Sequence, residues 1–400
     1  MQKYDMIIIG GGIIGLSTAW QLKKSFPGLR MLVLEKEPVA ASHQTGRNSG
    51  VVHAGVYYQP GSLKARFCRE GNRVTFEFCR RHGIPVERCG KMLVATDPQE
   101  YRRMEDLFQR ILKNGIRAEW LTKKGITDRE PNISGVGALF IPDTGIVDYR
   151  QITCRMADLF TDMGGEIQFG AEVTRLTEAS SHVDLEASGA YYTSRYLISC
   201  AGLHSDRLVK MLGIKPDFQI IPFRGEYFKI SPGLGKIIHH LIYPIPDPAL
   251  PFLGIHLTRM IDGSVTAGPN AVMGLKREGY RKTDIDFCDL AEMMVFSGFW
   301  RVVRQHIGPG LMELKNSTIK SAYLKQVHKY CPAIQLADLY PYPAGVRAQA
   351  VHKNGELIHD FLFVNTTRSI HVCNAPSPAA TSAIPIGRHI LEKAASLFGL

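Results

Sequence analysis

The sequence predicts an α/β protein in which a Rossmann-like nucleotide-binding domain is interleaved with an α+β domain built on an antiparallel or mixed sheet. Three observations carry this expectation. A β-branched run at the start of the chain leads straight into G-x-G-x-x-G and a helical pattern. From Phe218 to about Tyr340 the pattern changes to longer strands and Pro-rich loops. Buried-strand runs then recur at Tyr196 and Ser369, so the chain leaves the first domain and returns to it twice.

Tyr4-Asp5-Met6-Ile7-Ile8-Ile9 reads as a strand buried on both faces of a parallel sheet. Gly10-Gly11-Gly12-Ile13-Ile14-Gly15 follows without a gap, Leu16 to Leu22 continues as a helix, and Pro27-Gly28 ends it. In such a turn Gly10 makes the tight bend, Gly12 lets a pyrophosphate approach the backbone, and Gly15 packs helix on strand. The unpaired N–H groups of the first helical turn, that of Ile14 among them, then face the phosphates. Arg30 to Glu35 is a second buried strand, with its acid 20 residues beyond Gly15 and Lys36 beside it. A carboxylate there accepts bonds from an adenosine ribose, and a carboxylate instead of a basic residue argues against a 2′-phosphate. The ligand is therefore FAD or NAD and not NADP.

Ala40 to Tyr58 is polar, glycine-punctuated and then apolar, and a helix from Gly61 to His82 follows. Simple NAD dehydrogenases continue with further βα units at this point, which favours FAD. Lys91 to Thr96 is a strand, Pro98 to Lys113 an amphipathic helix, Tyr149 to Met163 a helix, and Gly165 to Leu176 strand-rich. Tyr196 to Gly202 is a buried strand ending on glycine, with the helix Ser205 to Leu212 behind it. Tyr243 to Pro251 holds four prolines, which excludes a helix or a central strand and leaves a surface loop, an active-site wall or a membrane-facing lip. After Tyr342 to Arg347, the strands Phe361–Val364 and Ser369–Cys373 lead to Asn374-Ala375-Pro376-Ser377-Pro378 and a terminal helix starting there. The expected nucleotide domain is thus 1–85, 145–215 and 341–400, and the second domain 86–144 and 216–340.

The 45% hydrophobic and 21% charged content over 400 residues excludes a disordered or collagen-like chain. A net charge of +11 suits nucleic acid, an anionic membrane face or anionic small molecules. No Lys/Arg-rich tract with interleaved aromatics is present, which argues against nucleic acid. Eight cysteines without a C-x-x-C pair indicate free thiols in a reducing compartment and no metal centre. The apolar stretch Met6 to Trp20 is broken by four glycines and too short to span a bilayer. The strand at the start leaves no room for a targeting peptide, so a cytoplasmic protein, soluble or peripheral, is expected.

His43 to Tyr58, Phe223 to Phe228, Pro251 to Leu257 and Asn374 to Ser382 resemble the corresponding stretches of the L-2-hydroxyglutarate dehydrogenases, flavoproteins of the D-amino-acid oxidase-like group. The resemblance covers essentially the whole chain in the expected order, with one departure at Arg47, where related members can carry His. It implies an FAD-binding domain of the glutathione-reductase/D-amino-acid-oxidase type. Gln44, Thr45, Asn48, Ser49 and Gly50 would run beside the flavin, the backbone at Val173 would hold adenine, and the turn at Ala201-Gly202 would approach the cofactor again. Pro376, Ser377, Pro378, Ala379 and Ala380 would bring helix N–H groups to the edge of the reduced flavin.

The implied reaction oxidises L-2-hydroxyglutarate to 2-oxoglutarate, passing hydride from the α-carbon to flavin N5 and electrons on to membrane quinone. The implied setting is the cytoplasmic face of a bacterial inner membrane. A histidine suits removal of the hydroxyl proton. His53, which the resemblance places against the flavin, is the first candidate, and His256, on a predicted strand, the second. Arg347 is expected to grip the α-carboxylate bidentately. Arg224, Tyr243, Thr258, Arg259 and Asn270 are candidates for the distal carboxylate. The rivals are a same-fold amino-acid oxidase or glycerol-3-phosphate dehydrogenase, a tRNA-binding flavoprotein, and an NAD-dependent hydroxy-acid dehydrogenase.

Overall fold

Met6–Ile9 and Met31–Leu34 are buried along their whole length, as parallel strands covered on both faces must be. In the computed structural model, which describes residues 2–248 and 253–400, they form the centre of an eight-stranded sheet. Its parallel part runs Glu166–Gln168, Met31–Leu34, Gln2–Ile9, Ala190–Ser199 and Ser369–Asn374. Leu362–Asn365 closes one edge antiparallel, and the meander Val173–Glu178, Val183–Ala187 pairs onto Ala190–Ser199. The helices Ile13–Ser25, Tyr149–Asp162 and Ala383–Phe398 share one apolar core with one face of this sheet.

The second sheet is mixed and nine-stranded. Its order is Val272–Met273, Phe218–Ile230, Val265–Gly268, His256–Arg259, Leu241–Pro244, Lys91–Ala95, Gly137–Ile141 and Glu119–Thr122, with Leu339–His352 paired along Phe218–Ile230. Every ladder is antiparallel except Leu241–Pro244 against Lys91–Ala95, where the two separated parts of the domain meet. A small third sheet of Val51–Val52, Gly145–Val147 and Val86–Glu87 sits between the two.

Four expectations need correction. The boundary at 341 falls inside the strand Leu339–His352, so 341–352 lies in the second sheet; among the described residues its ladder partner is Phe218–Ile230, so its other side tolerates the donors missing at Pro341 and Pro343. Tyr243 and Pro244 belong to a strand with neighbours on both sides, Pro244 being its last residue, where a lost donor costs little. Pro246 to Pro248 then leave the sheet as a loop, and Ala249 to Phe252 lie outside the described residues. The stretch read as strands and loops up to Tyr340 contains four helices, Phe287–Val295, Ser297–Gln305, Ile307–Thr318 and Lys320–His328. Asp286 caps the first by accepting from the N–H groups of Cys288 and Asp289, both at 3.0 Å, while Gly308-Pro309-Gly310 hid the third. Finally, the terminal helix begins at Ala383, so Ser377 and Pro378 lie in the loop before it.

The segment leading into the first of those helices is pinned to the nucleotide domain by a buried ion pair. Arg277, 3% exposed, forks onto both carboxylate oxygens of the fully buried Asp206 on helix Ser205–Met211. Without Asp206, Arg277 keeps Glu292 at 3.1 Å as a partial countercharge, so the loss is that of its charged hydrogen bonds, about 1.5–3 kcal/mol. Asp206→Ala should lower unfolding free energy by about that amount in urea titrations; a loss under about 1 kcal/mol would show that the pair does not hold the segment.

Candidate active site

The glycine motif makes its turn without room for side chains. A Cβ on Gly15 would lie 2.0 Å from the Gly10 carbonyl oxygen, and one on Gly10, whose φ is +110°, would lie 2.5 Å from the Cys200 oxygen. Helix Ile13–Ser25 therefore starts hard against the strands, with no side-chain cap and no acid in its first turn. Its terminal N–H groups keep their capacity for an anion, apart from that of Ile13, which donates to Thr45 Oγ1 at 3.0 Å. A Cβ on Gly12 would meet only Thr45 Oγ1 at 3.4 Å, so the backbone there is open to close approach.

From this turn a single cavity of about 950 Å³ extends between the two domains. Gly10, Gly12, Ile14, Glu35, Lys36, Gln44, Thr45, Asn48, Ser49, Ala201, Gly202 and Pro376 to Ala380 all line it. Glu35, 8% exposed, is held at its rim by the N–H groups of Gly11 at 2.6 Å and Glu37 at 2.9 Å. Lys36 bonds Glu37 at 2.8 Å and Glu278 at 2.6 Å, and His43 bridges Tyr280 and Glu37 at 2.7 and 2.8 Å. Burial works against the Glu278 charge, but His204, Lys36 and His43 outweigh it and hold the carboxyl down to about 2. Arg47 stacks on Tyr280, its guanidinium 4.0 Å from the ring centre. The segment that Arg277 pins thus closes the nucleotide end.

Three expected cofactor residues do not line the cavity. Gly15 and Gly50 are packing positions; a Cβ on Gly50 would meet the Val147 carbonyl at 2.6 Å. Val173 opens the next strand, and its neighbours Ala171 and Glu172 take the rim instead.

At the far end stand His53, Tyr243, His256 and Arg347, as expected. His53 follows the short strand Val51–Val52, and its N–H bonds Thr381 Oγ1 at 3.1 Å, tying it to the loop that carries Pro376 to Ala380. Arg347 comes from Leu339–His352, opposite Phe223. His256 lies stacked on Tyr243, ring centres 3.9 Å apart, with Nδ1 3.1 Å from the Gly254 carbonyl oxygen. A carbonyl can only accept, so neutral His256 carries its proton on Nδ1 and keeps a lone pair on Nε2.

Arg224, Thr258 and Asn270 do not reach the cavity, a correction that follows from strand alternation and depth. Along Phe218–Ile230, Gly225 and Tyr227 face it while Arg224 and Glu226 turn away. Arg224 pairs with Glu226 at 2.9 Å, and Asn270 Nδ2 donates to the same carboxylate at 3.1 Å. Thr258 is fully buried near the Tyr243 hydroxyl. Arg259 pairs with Glu87 at 3.0 Å. The wall contains instead Tyr57, Tyr58, Lys64 and Tyr227. Lys64 is the second residue of the helix that Ser62 caps and had no motif to mark it, whereas strand alternation alone could have singled out Tyr227.

Burial dominates the electrostatics of this end. It holds His53 well below the ordinary histidine range, reinforced by Lys91, His256, Lys64 and Arg347. His256 is pushed down to about 3, first by burial and then by Arg347 and Lys91, against the Gly254 hydrogen bond. Burial also lowers Arg347 and takes Lys64 to about 8. The chamber combines neutral imidazoles with cations, suited to binding an anion and accepting a proton from it.

The residues at the nucleotide end fit FAD: an uncapped helix start, a backbone approach that a Cβ at Gly12 would fill, and a buried carboxylate at ribose distance along the chain. The family model described as FAD dependent oxidoreductase matches residues 5–393. The L-2-hydroxyglutarate dehydrogenase of Escherichia coli strain K12 is 59% identical over 395 residues, 98% of this chain and 94% of that protein. The mitochondrial L-2-hydroxyglutarate dehydrogenase of Mus musculus is 42% identical, covering 98% and 88%. Among solved structures, FAD-bound, dithionite-reduced L-alpha-glycerophosphate oxidase from Mycoplasma pneumoniae superposes with a TM-score of 0.81 at 21% identity, covering 100% of this chain and 96% of that one. Glycine oxidase from Geobacillus kaustophilus does so at 0.74 and 17%, covering 98% and 95%. The two solved structures share the fold.

Proposed function

This chain belongs to the FAD dependent oxidoreductase family, and on that premise we propose that it oxidises L-2-hydroxyglutarate to 2-oxoglutarate. The observation that carries the reading is the continuity of the cavity, one space with Glu35 at one end and His53, His256 and Arg347 at the other. FAD, when held by the residues of the glycine-rich end, would supply the hydride acceptor.

The remaining work falls to side chains of this chain. Arg347 presents a planar fork to the α-carboxylate and so orients the α-carbon. His53 accepts the proton of the α-hydroxyl at a ring nitrogen, its neutrality secured by burial and the surrounding cations. His256, with its tautomer set by Gly254, offers the Nε2 lone pair as a second acceptor that orients the hydroxyl. Tyr57, Tyr58, Tyr227 and Tyr243 wall this end off from water.

The reading extends to membrane quinone as electron acceptor, with the helices between Phe287 and His328 as the docking face on an anionic bilayer. The support is an apolar surface of unusual extent: Phe287 and Val295 are 82% and 88% exposed, and Met294, Ile307, Leu311 and Leu314 are exposed beside them. Exposed Arg304, Lys315 and Lys325 add positive charge. Among the described residues no helix is long and apolar enough to cross a membrane.

Four outcomes test the reading. His53→Ala should slow anaerobic flavin reduction by L-2-hydroxyglutarate about 10²-fold or more in stopped flow. Because a depressed pKa keeps the base unprotonated until the pH falls below it, wild-type kcat/KM should show no acid limb near the ordinary histidine value of about 6.5; a fall of kcat/KM toward acid there would contradict the desolvated site. Arg347→Lys should raise KM at least about tenfold with FAD retained, since a point charge loses the bidentate fork; unchanged kinetics would remove Arg347 from the site. Phe287→Ser with Val295→Ser should lose co-sedimentation with anionic vesicles while the soluble half-reaction is kept, and undiminished binding would move the docking face elsewhere.

A further inference from the structure

Lys91 heads the buried strand Lys91–Ala95, between Leu241–Pro244 and Gly137–Ile141. It is 0% exposed, and among the described residues its Nζ has no hydrogen-bond partner. The amine lies over the rings of Tyr57 and Tyr243, 4.7 and 4.9 Å from their centres. Both rings line the cavity, and among the described residues neither buried hydroxyl has a hydrogen-bond partner of good geometry, Thr258 and Ser49 lying beside that of Tyr243. An amine and two hydroxyls left unsatisfied at one wall are costly in an empty site and indicate a ligand that satisfies them.

Among the described residues no group supplies the missing negative charge. On helix Leu63–Arg81 the Cys68 thiol is pushed up to about 12 by burial and stays neutral. Tyr57 and Tyr243 are raised by the same cause, and His53 and His256 are neutral. Lys64 and Arg347 add positive charge nearby. Burial pushes Lys91 itself down to about 7, so the lone amine is readily neutral until an anion arrives.

We propose that Lys91 is the specificity-determining residue for the second carboxylate of the substrate, acting as a positioning residue through Tyr57 and Tyr243. When the dianion enters, the two phenol hydroxyls donate to its distal carboxylate, and Lys91 Nζ takes up one proton from solvent to become the buried countercharge behind them. That proton transfer, an N–H bond formed as a solvent O–H bond breaks, is the one bond change, and nothing is oxidised or reduced. A monocarboxylate of the same length leaves the hydroxyls unsatisfied and the amine neutral. The inference rests on the dicarboxylate reading above and adds how that substrate is told from shorter-charged relatives.

The test uses the oxidised holoenzyme, with 2-oxoglutarate and 2-oxopentanoate as di- and monocarboxylate probes followed by the flavin absorbance change. Wild type should prefer 2-oxoglutarate by roughly 10- to 100-fold, the scale of a hydrogen bond to a charged group, with the preference shrinking as pH rises above about 7. Lys91→Met should bring the two affinities together and abolish that pH dependence while 2-oxopentanoate binding stays within about twofold. A second measurement needs no variant: mixing weakly buffered wild type with 2-oxoglutarate at pH about 8 should consume close to one proton per site by indicator dye, and 2-oxopentanoate none. A wild type that prefers the dicarboxylate without proton uptake, or a Lys91→Met variant that keeps the preference, overturns the role of Lys91 alone. A wild type with no preference and no flavin reduction by L-2-hydroxyglutarate overturns the substrate reading as well.

Discussion

One backbone contact governs the nucleotide end. With Gly15 seated against the Gly10 carbonyl, and Gly10 against Cys200, the helix Ile13–Ser25 can begin only where the ends of Gln2–Ile9 and Ala190–Ser199 allow. That placement leaves unpaired N–H groups pointing outward from the carboxyl ends of the parallel strands, the side on which open α/β sheets bind ligands. Glu35 and the Gln44–Ser49 loop then take positions around a point already set by the glycines.

The other end obeys a different constraint, the cost of charge in a place without water. The long pairing of Phe218–Ile230 with Leu339–His352 delivers Tyr227 and Arg347 to the cavity, while Lys91 arrives from a strand more than a hundred residues earlier in the chain. Burial, reinforced by Arg347 and the neighbouring lysines, depresses His53 and His256 together, so a single environment prepares a proton acceptor and an anion trap. The two ends need each other: Thr381, beside the cofactor loop, bonds the His53 N–H, and Arg277 locks the outer segment onto Asp206.

The nucleotide fold was legible because its signals are local. A buried strand, a glycine turn, a helix and an acid at the right distance fall within thirty-odd residues, and each has its own physical reason. His53, His256, Tyr243 and Arg347 were legible through the resemblance and do share one cavity. The errors have a common cause in two-residue periodicity and depth. Arg224 sits one position from Gly225 and so points to the opposite face, where Glu226 and Asn270 satisfy it. Lys91 was overlooked because a lysine at the head of an apolar run reads as the solvent-exposed end of a strand.

By itself the sequence determined the glycine turn between strand and helix and the acid at a set spacing from it, the backbone geometry that suits a dinucleotide. The tertiary structure decided which polar residues become chemistry. Whether a side chain meets the cavity or the core depends on strand register and on what packs over it from distant segments, and neither is written in local pattern. The same lysine would be an ordinary surface charge on an exposed strand; burial over Tyr57 and Tyr243, with no hydrogen-bond partner among the described residues, is what singles it out for the proposed anion role.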